Sequence, residues 1–284
     1  MTRKNIFEIL KSKYEIPIEM SKISMLFYDI KIVARNPLNF NVNEYSIEQL
    51  FEIFCFTNWK QRGSYLSCDE MKKALDFPKG IVTKEQDIIK ILEYYINILV
   101  MLNSKLNLTQ NINFGCPATY KLLNDNIEIL LEHLNYEKII FNEEEKVILV
   151  PKNPAATAVA EVTENKDISF AILKYNHASL RGNLPEKKRL LVSIANEYEA
   201  LLDNPVTGFA PFFDKTNGLL NSLNLRHNNK KGKHKNALAA DILNEELEKW
   251  YDELYQLLLF CVLIKDNVKR KNEIDELLKK LKKK

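Results

Sequence analysis

Glycine is scarce, with seven in 284 residues. Nor does any stretch alternate strand with helix repeatedly, so a nucleotide-binding α/β fold built on a Gly-rich phosphate loop is not expected. The four cysteines, Cys55, Cys68, Cys116 and Cys261, are widely scattered. They lack the paired spacing that a zinc knuckle or a compact disulfide framework requires, and a reducing cytoplasm is the simplest setting for them. No signal-peptide core follows Met1-Thr2-Arg3-Lys4, and the longest late apolar run, Leu257 to Ile264, is too short to span a bilayer. Charge of one sign is lacking too. The 41 Lys and Arg nearly balance the 38 Asp and Glu, and the net +3 selects no class of partner until local patches are read.

What is present is apolar sequence, 46% of the chain, enough for one large or two ordinary cores. It recurs mainly at helical spacing. Thr83-Lys84-Glu85-Gln86 reads as a capping box ahead of a helix running to about Leu106. Ser67-Cys68-Asp69-Glu70 signals a shorter helix, and Pro117 opens another through Tyr120, Leu123, Ile127 and Leu131. Between residues 138 and 150 the pattern changes. Lys138 to Phe141 and Lys146 to Val150 flank the polar turn Asn142-Glu143-Glu144-Glu145, which predicts a β-hairpin. A helix followed by a hairpin suits a winged-helix wing, but the turn is acidic and would repel a DNA backbone.

Pro151 to Pro154 marks a boundary between domains 1–152 and 153–284. Beyond it, helices are expected near 155–178, 185–203, 209–227 and 236–267, which together suggest an up-and-down bundle. The fold class read from the sequence is therefore mainly α, a helical amino-terminal domain with one hairpin followed by a helical bundle. From Lys269 the sequence turns basic, which suits either a solvated helix or a nonspecific contact with a nucleic-acid backbone.

One segment carries chemistry. On a wheel extended to residue 227, Asn217, Asn221, Asn224 and Asn228 share one face. Arg226 and His227 fall on the face of Leu219, Leu220 and Leu223. A guanidinium cannot shed its charge, so a core-facing Arg226 calls for an anion beside it. The following stretch sets Lys230, Lys231, Lys233, His234 and Lys235 around Gly232, just before Asn236 offers a helix N-cap. Such a field suits phosphate and keeps His234 readily deprotonated, as a general base requires. Two basic residues can also simply close a helix, where the dipole favours them and their heads reach water. His133 and His177 read as structural, as do Tyr94, Tyr95, Trp59, Phe54 and Phe56, which look like core aromatics rather than stacking platforms.

Arg226, a polar His227 and a later His234, set where two helices of a bundle meet, resemble the motif of the HEPN superfamily of nucleotide-binding and ribonuclease domains. The resemblance covers roughly residues 155–267. It implies metal-independent RNA cleavage by 2′-hydroxyl attack with no cofactor. Arg226 would hold the phosphate, His227 and His234 would share proton transfer, and Asn228, Lys230, Lys231, Lys233 and Lys235 would bind the RNA backbone. It further implies a homodimer through the bundle and a role as a toxin or in abortive infection, under an antitoxin or a phage trigger. The other reading of the same residues is a noncatalytic module that binds RNA, nucleotide or protein.

Overall fold

The computed structural model describes residues 14–35, 41–106, 117–141, 145–223, 225 and 243–281. The protein is mainly α. The described residues divide into two compact units, Met1–Pro151 and Lys152–Lys284.

In the first unit the organising element is α4, Glu85–Leu106, preceded by α1 Ile16–Asp29, strands β1 Ile32–Arg35 and β2 Val42–Tyr45, α2 Ile47–Phe54 and α3 Cys68–Ala74. Residues Ile88 to Leu102 of α4 are buried on almost every side, and helix α2 and strand β4 pack against it. Helix α5, Pro117–Leu134, follows and leads into the hairpin of β3, Tyr136–Phe141, and β4, Lys146–Pro151. Asn135, at φ 58°, makes the tight join between α5 and β3, an αL position that asparagine tolerates better than most residues. The predicted hairpin is present, starting two residues earlier than the sequence indicated.

Three local details differ from expectation. Helix α4 starts at Glu85, and the carbonyl of Lys84 rather than Thr83 accepts its first i→i+4 bond, from Ile88 N at 3.0 Å. Helix α3, by contrast, starts where the sequence signals it, with the Ser67 hydroxyl accepting from Glu70 N while the Glu70 carboxylate reaches Leu66 N. A complete capping box lies at Ser46 and Gln49, which start α2. The β1–β2 hairpin, pairing Ile32 with Tyr45, was not expected at all.

The second unit comprises α6 Pro154–Val162, α7 Lys166–Lys174, α8 Leu184–Glu197, the single turn α9 Glu199–Leu202, α10 Ala210–Ser222 and the long α11 Asn244–Leu281. Helices α6, α8 and α10 all pack on α11, which buries Tyr251, Leu254, Tyr255, Leu258, Leu259, Cys261, Val262 and Ile264. Several expected spans are corrected. The helix expected over 155–178 is two helices, broken where Thr163 turns its hydroxyl back to the Val159 carbonyl and Asn165 caps α7 through Asp167 N. The span 185–203 is interrupted at Tyr198. The fourth runs over Asn244–Leu281 among the described residues, and Asn236 lies outside them.

Candidate functional sites

Arg226, His227, Asn228, Lys230, Lys231, Lys233, His234 and Lys235 all lie outside the described residues. The anchors on either side are described. Helix α10 stops at Ser222 with Leu223 as its C-cap, and Leu225 N donates to the Leu220 carbonyl at 2.9 Å, the 6→1 bond of a Schellman closure. Leu223 and Leu225 are both buried in the bundle core. The helix expected over 209–227 runs over Ala210–Ser222 among the described residues, and the wheel positions of Arg226 and His227 lie outside them. After the basic segment, Leu243 accepts the bond from Leu247 N that opens α11. Because α10 and α11 pack against each other, the segment leaves and rejoins one bundle.

Within that bundle a charged cluster escaped sequence reasoning. Lys187 on α8 has a side chain only 7% exposed, and its Nζ lies 2.8 Å from Glu248 Oε1 and 2.7 Å from Asp252 Oδ1. Tyr175 donates its hydroxyl to the same Asp252 oxygen at 3.0 Å, while its ring lies under the ammonium. Glu248 and Asp252 are one turn apart on α11, and both Glu248 oxygens accept from Gly182 N at 3.0 Å. Burial alone would raise the Glu248 carboxyl. The Lys187 and Gly182 hydrogen bonds and the Lys187 and Arg181 charges outweigh it, so the carboxyl sits below its ordinary range. Every member of the cluster has a partner, which makes it a clamp between α8 and α11 rather than a reactive group. Its signal in the sequence was thin, two acids four apart and a lysine some sixty residues away.

A second arrangement lies in the first unit, where α1, α3, the loop after α3 and α4 surround a cleft of about 800 Å³. Ser24, Tyr28, Tyr95 and Phe77 give it aromatic and hydroxyl walls, and Lys72, Lys73 and Lys79 outnumber Asp69 and Asp76 along it. Lys72 is engaged, with Nζ 2.8 Å and 2.9 Å from the two Glu48 oxygens and 3.2 Å from Asp69, while Tyr94 donates to Glu48 at 2.6 Å. Burial, then the nearby Glu48 carboxylate, pushes the Tyr28 hydroxyl up to about 12. Burial also carries the Cys68 thiol to about 12. At neutral pH these groups are a phenol lining the cleft and a buried thiol beside it, neither of them a nucleophile.

Comparison of the chain with protein-family models, with curated proteins and with solved structures yields no match. The two described histidines have local duties. His133 stacks on Tyr14 at 3.7 Å and bonds through Nδ1 to the Ile129 carbonyl, and His177 caps the turn at Ser179. Tyr94, Tyr95, Trp59 and Phe56 are buried and Phe54 is half-buried. Among the described residues no group of three or more His, Cys, Asp or Glu is placed to hold a metal, and no helix is long and apolar enough to cross a membrane.

Proposed function

We propose that the second unit is a metal-independent endoribonuclease of the HEPN type, acting through Arg226, His227 and His234. The observation that carries the reading is a segment of Arg, two His and four Lys tethered at both ends, by buried Leu225 and by the start of α11, to helices of one bundle. Lys230, Lys231, Lys233 and Lys235, with Asn228, gather the RNA backbone. Arg226 neutralises charge on the phosphate as it builds. One imidazole takes the proton of the 2′-hydroxyl as its oxygen attacks the adjacent phosphorus, and a protonated imidazole delivers a proton to the departing 5′-oxygen. The products are a 2′,3′-cyclic phosphate and a 5′-hydroxyl end, with no redox change and no cofactor.

The same reading includes a homodimer through the bundle and a cytoplasmic role as a toxin or in abortive infection against phage. The first unit would be the regulatory half, answering an antitoxin or a phage trigger. The test uses RNA incubated with the full chain in excess chelator. Cleavage leaving cyclic phosphate ends, lost by at least about 100-fold in Arg226→Ala and His234→Ala with circular dichroism unchanged, is the expected result. RNA that is bound but left intact by the wild type would instead make this a noncatalytic binding module.

A further inference from the structure

The outer part of α11 leaves the core behind. From Lys269 to Lys280 every residue is exposed, yet Ile274, Leu277, Leu278 and Leu281 are 55%, 56%, 47% and 60% exposed and recur at spacings of three and four. At about 100° per residue these four share one side of the helix; Leu254, Leu258 and Cys261 of the bundle core lie on the other side, and Leu259, about five turns before Leu277, is buried on the stripe's own side. An aliphatic stripe of this period is the seam of a helix pair.

Its charges are ordered along the axis. Glu273, Asp275 and Glu276 occupy the first half of the stripe and Lys279 and Lys280 the second. Side by side in parallel, two copies would set acids level with acids and lysines level with lysines. Turned antiparallel about the midpoint of Leu277 and Leu278, Ile274 of each copy meets Leu281 of the other, and Leu277 meets Leu278. In that same register Glu273 of one copy and Lys280 of the other, both on one flank of the stripe, come within about two residues of level, and the two-fold axis repeats the pair. Apolar layers and charge pairs select a single register.

We propose that the Ile274–Leu281 stripe is a self-association surface, on which two copies of this chain pair as antiparallel helices. The proposal does not rest on the ribonuclease reading, since the seam and the basic segment are separate parts of the chain. Eight half-exposed aliphatic side chains make a short contact, at the low end of specific interfaces, so the dimer is reversible and dissociates at micromolar concentration.

Sedimentation equilibrium of the full chain, without RNA, tests it. The wild type should self-associate through this stripe in the micromolar range, and Leu277→Glu should lose that step, leaving only the separate bundle contact of the proposed ribonuclease. Glu273→Lys and Lys280→Glu should each weaken the dimer about tenfold, by turning two attractions into two repulsions. An equimolar mixture of these two variants, or the double variant in one chain, should restore it. Arg226→Ala should associate like the wild type. These positions lie outside the core, and circular dichroism should be unchanged. A wild type that stays monomeric, including one that partitions onto anionic vesicles instead, overturns the proposal. So does self-association that Leu277→Glu leaves unchanged in strength, or single charge variants without effect.

Discussion

Asn97 sits where α4 meets the outer edge of β4, and its one carboxamide serves both the N–H and the carbonyl of Val147, at 2.9 Å and 2.8 Å. One turn earlier Glu93 accepts from Leu149 N, so two helical side chains stand in for the missing neighbour strand. Asn97→Leu strips both partners from Val147 and should cost about 2–4 kcal/mol in urea unfolding, whereas a loss below about 0.5 kcal/mol would contradict the role. Lys187 is the counterpart in the second unit. Lys187→Met leaves Glu248 and Asp252 facing each other and should destabilise by about 2 kcal/mol at pH 7, less than a fully buried pair because Asp252 is half exposed. The folded Glu248 carboxyl is lowered, so its stabilisation is complete above the ordinary carboxylate range and drains away as pH falls through the lowered value. The gap in melting temperature between wild type and Lys187→Met should therefore narrow on going from pH 7 to pH 3. Burial raises the Cys55 thiol to about 11 and Cys68 to about 12, so peptide mapping after iodoacetamide at pH 8 should find both unlabelled until denaturant is added. Neither polar cluster was legible in the sequence, because Lys72 meets Glu48 and Lys187 meets Asp252 only after intervening helices fold between them.

Among the elements, those with long periodic signals were legible. Helix α4 and α5 and the β3–β4 hairpin follow directly from apolar spacing and turn chemistry, and their ends shift by only a residue or two. The β1–β2 pair was hidden because strands of four residues carry too little alternation to register. The α6–α7 break was hidden because apolar residues keep helical spacing on both sides of Thr163 while the turn itself is only three residues long. At α10 the misreading mattered more. Asn and Leu continue a helical rhythm through residue 225, but Leu225 is spent on closing the helix, and the chemistry-bearing residues follow that closure. Leu225→Ala should then cost about 2–3 kcal/mol in chemical denaturation, as a core truncation does, despite its place outside any helix.

At the scale of the whole molecule, the buried cluster from Ala156 to Ile264 contains no residue of the first unit. A fragment of residues 152–284 should accordingly keep a helical far-UV spectrum and melt cooperatively, and an unfolded fragment would show that this core needs the rest of the chain. The long α11 has one more consequence. It begins just past the basic segment and carries the aliphatic seam near its other end, and at 1.5 Å per residue roughly 50 Å separate Asn244 from Leu277. Two copies paired antiparallel there would hold the starts of their α11 helices roughly 100 Å apart. A catalytic pocket made from two copies would therefore require a different face. Chains using both faces would not close into a pair but would link onward into an open string.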